Sequence, residues 1–245
     1  MTNKFDFKYT TFGAGTPILL LHGLFGGLSN WTAFIDTFQS HHKIIVPILP
    51  IQDLQGEHHI FKLLNYLEAL IAHLALQNPA IIGNSLGGHL AIHYAYKNPV
   101  NIRCLILTGS SGLFENSMGG SYPKRNNRQY IEERIKHTFY DPAVANPTLI
   151  EEVYRITKDN SKCIGIIKMA KSAQRDNIRG LLPKIKTQTL LVWGKQDRIT
   201  PPSVAETFHS LLPHAALEWI DQCGHAPMME RPDQFNTIVA RFLAP

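Results

Sequence analysis

The sequence predicts an α/β protein, with a mostly parallel central sheet flanked by helices and one all-helical insertion. Three observations carry this. Short apolar runs alternate with segments of helical period, the order that builds parallel strand–helix–strand units. The central runs PILLLHG (17–23) and NIRCLILTG (101–109) are continuous rather than alternating, as in strands buried on both faces. From residue 112 to 183 strand character stops, and three amphipathic segments follow one another.

The elements follow in order. FDFKYTTF (5–12) alternates apolar and polar residues and predicts an edge strand. GAGT is a turn, and PILLLHG the first central strand. A helix is expected over 31–38, and KIIVPIL (43–49) is the next strand. Residues 58–76 place Ile60, Leu63, Leu64, Leu67, Leu70, Ile71 and Leu74 at helical spacing. Asn78-Pro79 ends that helix, because proline disfavours helix in the residue before it. PAIIGN is a strand, LGGHLAIHYAYK a helix and NIRCLILTG a strand. Gly119, Gly120 and Pro123 then punctuate a polar loop. The three amphipathic segments are marked by Ile131, Ile135 and Phe139, by Leu149, Val153 and Ile156, and by Ile164, Ile167 and Ala170. QTLLVWG (188–194) resumes the strands, followed by a helix over 203–211, strand AALEWI (215–220) and a last helix over 232–242. The division expected is a core of 1–111 and 184–245 with a helical cap, or lid, of 112–183.

Composition narrows the function. The chain has 245 residues, 44% of them hydrophobic, enough for a sizeable core. Charged residues are 18%, which excludes a disordered or coiled-coil chain. The net charge of +5 is scattered apart from Lys124, Arg125 and Arg128, read as a solvated loop, so no nucleic-acid partner is expected. Cys104, Cys163 and Cys223 fit neither a disulfide framework nor a metal spacing, which points to a reducing compartment. No apolar leader opens the chain and no run is long enough to span a membrane, so a soluble, cytoplasmic protein with no membrane partner is expected.

The chemistry centres on IIGNSLGG (81–88). Ser85 stands between Gly83 and Gly87 where a strand turns into a helix. One reading is a close-packed turn that contains a serine. The other is a turn that presents one hydroxyl at the carboxyl end of the sheet, where open α/β sheets bind ligands. A serine needs a base to act as a nucleophile. Of the 12 histidines, His225 in DQCGHAP follows a strand and precedes the last helix. His89 and His93 read as packed or solvated helix residues, and His22 as a residue that bonds the backbone and shapes its loop. The base in turn needs an orienting acid. Asp197 follows strand 188–194 directly and is preferred over Glu115, further along its loop, and over Asp221, which shares a strand end with His225. The oxyanion donors expected are the backbone N–H groups of Leu86, after the serine, and Leu24 in HGLFGG, with Phe25 second.

Ser85, Asp197 and His225 occur in that order, each at a strand end. With these motifs the chain resembles the α/β-hydrolase superfamily over nearly its whole length. HGLFGG is similar to the family's oxyanion loop, GNSLGG to its nucleophile elbow, WGKQDRITP to its acid loop and GHAPMMERPDQF to its histidine loop. The insertion resembles its cap, placed after the sixth family strand. Two features depart from the pattern: LPIQDLQGEHH keeps few glycines of the usual Asp-x-x-Gly-x-Gly-x-Ser turn, and the short edge before FDFKYTTF leaves no room for the first family strand. The resemblance implies a cofactor-free, metal-free serine hydrolase that forms an acyl-enzyme on Ser85 of a small, partly apolar carboxylic ester. The alternatives are a carbon–carbon hydrolase of aromatic ring-fission dienoates, with Arg175 as a carboxylate binder, and a non-catalytic small-molecule binder. Leu113, Phe114, Ile164, Ile167 and Met169 are the cap's apolar candidates for the substrate pocket.

Overall fold

A computed structural model describes residues 5–52, 59–116 and 124–244. Among them, seven strands form one sheet in the order β1-β3-β2-β4-β5-β6-β7. These are β1 (Tyr9–Phe12), β2 (Thr16–Leu21), β3 (His42–Pro47), β4 (Ala80–Asn84), β5 (Cys104–Thr108), β6 (Thr189–Gly194) and β7 (Ala215–Ile220). Only β1 is antiparallel, pairing Tyr9 with Pro47 and Phe12 with Ile44 at the edge. No strand precedes β1 among the described residues.

The continuous apolar runs form the centre because both faces of the sheet are covered. In β2, Ile18 and Leu20 join one core cluster with Trp31, Phe34 and Phe235. Leu19 and Leu21 join the other, with Leu63, Leu67 and Leu90. The period of two continues in β4, where Ile81 opposes Ala80 and Ile82, and in β5, where Leu105 and Leu107 oppose Cys104 and Ile106. Each of these large aliphatic side chains contributes about 1.5–3 kcal/mol on full burial. The helices α1 (Thr32–Phe38), α8 (Pro227–Glu230) and α9 (Pro232–Leu243) cover the first face. The second is covered by α2 (His59–His73), α3 (Leu86–Lys97) and α7 (Pro202–Leu211).

The predicted insertion is helical where it is described: α4 (Arg128–Thr138), α5 (Pro147–Lys158) and α6 (Asn160–Arg175). Asn127, Asn146 and Asp159 cap them, each accepting a backbone N–H of its helix's first turn. The segment is not a detached layer. Ile166, Met169 and Ala173 of α6 belong to the core cluster of α2 and α3, while Ile131, Ile135 and Val153 belong to the opposite one. The loop containing Gly119, Gly120 and Pro123, and most of the departing turn LPIQDLQGEHH, lie outside the described residues. No helix of the described residues is long and apolar enough to cross a membrane. Cys104, Cys163 and Cys223 are buried and unpaired with one another.

Candidate active site

Ser85 closes β4 and opens α3 with φ 54° and ψ −119°. A non-glycine residue holds such a backbone at a cost of about 1–3 kcal/mol, so its surroundings must fix it. Its N–H donates to the Thr108 carbonyl at 3.1 Å, and its carbonyl accepts from the N–H groups of Gly88 (3.0 Å), His89 (3.2 Å) and Ser111 (3.1 Å). Close approach explains the flanking glycines. A Cβ on Gly83 would fall 2.5 Å from the Gly87 backbone, and one on Gly87 would fall 2.1 Å from the Leu21 oxygen. The Ser85 side chain makes no capping bond to its own helix, and the residue stays partly exposed.

The HGLFGG loop packs against this turn. A Cβ at Gly23 would lie 3.2 Å from the Ser85 Cβ. His22 fixes the loop: its Nδ1–H donates to the Gly23 carbonyl at 2.7 Å, and its Nε2 accepts the Leu49 N–H at 3.1 Å. That pattern requires a neutral ring. Burial lowers the His22 pKa accordingly, with the Gly23 bond opposing. Leu86 is the first residue of α3, and Leu24 sits in the loop beside Ser85. Neither amide makes a turn, loop or cap hydrogen bond to another backbone group among the described residues.

Asp197 and His225 meet at the ends of β6 and β7. Asp197 is 3% exposed, so its carboxylate depends on internal donors. Its Oδ1 accepts the N–H groups of Ile199 (2.8 Å) and Thr200 (3.0 Å). Its Oδ2 accepts the Thr200 hydroxyl at 2.8 Å and lies 2.9 Å from His225 Nδ1. An acceptor-only carboxylate there assigns the proton to Nδ1 and leaves Nε2 free to accept. Burial pushes the His225 pKa down, but the charges of Asp197 and Glu115 and the Asp197 hydrogen bond outweigh it, so the net shift is upward. Glu115 reaches the ring only through its field and hydrogen-bonds Gln174 instead.

Loop 221–226 is joined to Ser85 through the sheet. Asn84 Nδ2 donates to the Thr108 carbonyl at 3.0 Å and to the His225 carbonyl at 3.1 Å. The ring lies over the end of β5, where a Cβ on Gly109 would fall 2.8 Å from Nδ1. No hydrogen bond links the Ser85 hydroxyl to His225 among the described residues, and such bonds often tighten only when substrate is present.

Three residues of this arrangement escaped the sequence reading: Thr200, Asn84 and Glu230. Glu230 is 5% exposed and accepts the N–H of Gly224 at Oε2 and the N–H of Asp141 at Oε1, both at 2.7 Å. It thereby ties the His225 loop to the chain after α4. The His225 N–H itself donates to the Thr138 carbonyl at 3.0 Å. A glutamate directly before an Arg-Pro helix start reads locally as a solvated charge, and only the fold reveals its partners.

Other predicted positions fall elsewhere. Ile164 is 41% exposed on α6 and Met169 is fully buried in the core. Leu113 and Phe114 border a cleft with Asn177, Arg179, Ser203 and Thr207. Arg175 is exposed, as a solvated helix residue should be. Lys124 lies over the Tyr130 ring and Arg128 pairs with Glu132 and Glu151, so that basic cluster is engaged within its own segment. Among the described residues only His89, His93 and Asp176 bring three potential metal ligands together.

Residues 18–238 match the model of the Alpha/beta hydrolase family. The chain is 36% identical to a crystal structure of an alpha/beta hydrolase enzyme from the metagenome of lagoon sediments at Mar Chica, Morocco, covering 98% of this chain and 96% of that one with a TM-score of 0.78. It is 26% identical to Lipase 3 of Moraxella sp., over 88% of this chain and 73% of that protein. It is also 26% identical to a 2-hydroxy-6-oxo-2,4-heptadienoate hydrolase of Pseudomonas putida, over 95% and 90%.

Proposed function

This chain belongs to the alpha/beta hydrolase family, and from that premise we propose that it is a cofactor-free serine hydrolase of carboxylic esters, with Ser85, Asp197 and His225 as its triad. The observation that carries the reading is the pairing of a buried, one-sided imidazole with a serine held at positive φ. His225 Nδ1 is committed to Asp197 at 2.9 Å, which leaves Nε2 as a base. Ser85 presents its hydroxyl from a turn anchored to the same strand end, Thr108–Gly109, over which the His225 ring lies.

The chemistry follows. His225 Nε2 takes the Ser85 proton while Oγ bonds to the acyl carbon, and the carbonyl π pair moves to oxygen. The Leu24 and Leu86 N–H groups hold that oxyanion. As the tetrahedral adduct collapses, the bond to the alcohol oxygen breaks and His225 returns the proton to it. Water then attacks the acyl-enzyme with His225 again as base, releasing the acid and restoring Ser85. In this reading residues 112–183 act as the cap over the site, attached to the histidine loop through Thr138 and Glu230.

The similarity to a dienoate hydrolase keeps a second reading, carbon–carbon cleavage by the same triad. The exposed Arg175 weighs against it, since it offers no buried carboxylate site from the cap. A side-by-side assay decides: p-nitrophenyl esters of graded chain length against a ring-fission dienoate, for the unmodified protein and Ser85→Ala. Ester turnover that vanishes in Ser85→Ala supports the esterase. Dienoate turnover exceeding it by orders of magnitude reassigns the substrate, and ester turnover that survives in Ser85→Ala removes the triad.

A further inference from the structure

The helix that Ser85 opens carries a second group of histidines that ester hydrolysis does not use. His89 and His93 are four residues apart on α3, so their rings share one face of the helix. The rings stack with 5.3 Å between centroids and 20° between planes. Both direct Nε2 to the same atom, Oδ2 of Asp176, at the C-terminal end of α6; His89 lies at 3.0 Å and His93 is in direct contact. The His89 side chain is fully buried, that of His93 is 7% exposed, and that of Asp176 is 20% exposed, so the group opens to solvent on the Asp176 side.

One carboxylate oxygen is a poor partner for two buried imidazoles. Each ring must direct an Nε2–H at it, and the two donors crowd together. An ion bound by the two Nε2 lone pairs, each neutral ring then carrying its single proton on Nδ1 instead, and by one carboxylate oxygen replaces that crowding with three coordinate bonds. We propose that His89, His93 and Asp176 form a binding site for one divalent transition-metal ion of the zinc class.

The geometry suits such an ion. The three ligand atoms all lie within 4.8 Å of one another. Ligands at about 2.0–2.1 Å around a tetrahedral ion stand about 3.3–3.4 Å apart, so the Asp176 oxygen needs to draw back by a few tenths of an ångström from His89 and by about an ångström from His93. Two histidines at i and i+4 on a helix are a zinc-binding spacing, and an imidazole-rich donor set selects zinc-class ions over magnesium or calcium.

The position gives the ion a structural task. Ile178, two residues after Asp176, donates its N–H to the Gly112 carbonyl at 2.9 Å. A Cβ on Gly112 would fall 2.6 Å from Ile178 and 3.2 Å from His89. Thus the points where residues 112–178 leave and rejoin the core both border the histidine pair, one helical turn beyond Ser85. A bound ion would fasten that neck to α3, with its fourth position facing solvent and no part in the acyl transfer.

The test is a Co²⁺ titration of tag-free, chelator-stripped protein, read by visible absorption, with Zn²⁺ titrated calorimetrically. One equivalent should bind with intense bands of tetrahedral Co²⁺, and a hundredfold excess of Zn²⁺ over its Kd should raise Tm by about 5–10 °C. Asp176→Asn and His93→Gln, each checked for folding by circular dichroism, should weaken binding at least tenfold and abolish the bands. Absence of stoichiometric binding by the unmodified protein overturns the proposal, as does binding undiminished in a folded His93→Gln. Should the Asn variant not fold, His93→Gln and the unmodified protein's spectrum decide alone.

Discussion

The molecule contains two histidine–aspartate constellations with opposite electrostatics. At Asp197, one carboxylate serves one imidazole, and two backbone N–H groups and the Thr200 hydroxyl hold that carboxylate in place. Its field and hydrogen bond, aided by Glu115, overcome the burial of His225 and raise its pKa. At Asp176, one carboxylate is divided between two rings, burial prevails at His89, and its pKa falls. Burial would raise the Asp176 pKa, but the bonds from both histidines pull it well below the usual carboxylate range. Identical residue types therefore raise the pKa of one imidazole, His225, and accompany a lowered pKa at another, His89. The difference lies in how many rings each carboxylate must satisfy.

The largest expected effect separates the two by function. His225→Ala or Asp197→Asn should lower kcat/KM for a p-nitrophenyl ester about 10⁴-fold or more, while Asp176→Asn should stay within about tenfold. Comparable losses in both would break the distinction. Next is Glu230→Ala, which leaves the Gly224 and Asp141 N–H groups without their acceptor. It should cost about 2–5 kcal/mol of unfolding free energy by denaturant titration; an unchanged midpoint would mean the histidine loop is held by other contacts. A smaller effect is expected from Thr200→Val, which removes one donor to Asp197: about a 5–30-fold fall in kcat/KM with little change in KM.

The smallest effect is in pH dependence, where the two groups should differ in sign. A base must be neutral, so the acid limb of kcat/KM should lie above the ordinary histidine value of 6.5. Because the fold favours protonated His225, its contribution to stability is complete below 6.5 and is lost as pH rises through its raised folded value. His89 has the opposite sign: its lowered value makes acidification below 6.5 oppose the fold. Asp176, lowered from 3.8, stabilises above that value and loses its contribution as pH falls towards its folded one. Denaturant midpoints from pH 3 to 8 for the unmodified protein and Asp176→Asn check this, and overlapping profiles would contradict it.

The two constellations were not equally legible in the sequence. Ser85, Asp197 and His225 are far apart in the chain, yet each follows a run recognisable as a buried strand. Parallel strands place such ends on one edge of a sheet, so their convergence followed once β4, β6 and β7 were recognised. The fold class was readable for the same reason, with strand boundaries near those observed: 188–194 expected against Thr189–Gly194, and 215–220 against Ala215–Ile220. His89 and His93 were visible on one helix, but Asp176 lies 83 residues beyond His93 at the end of α6, with no local motif to mark it. Its approach depends on how α6 packs on α2 and α3, which periodicity does not encode. Packing, too, is what separates the apolar residues of the cap. Ile164 and Met169 have the same apolar character, and packing sends one to solvent and the other to the core. Glu230 acts on backbone N–H groups and Thr200 through one hydroxyl and its own N–H, so no motif of side chains marks them.

The central claim is that the Asp197-paired histidine, and not the Asp176-paired ones, activates Ser85. A fluorophosphonate probe tests it most directly, with adducts located by peptide mass mapping and labelling rates measured for the unmodified protein, Ser85→Ala, His225→Ala and His93→Gln. The account predicts one adduct, on Ser85, absent in Ser85→Ala, slowed at least a hundredfold in His225→Ala and unchanged within a few-fold in His93→Gln. Folded protein that is not labelled at Ser85, or is labelled as fast without His225 as with it, would contradict the account.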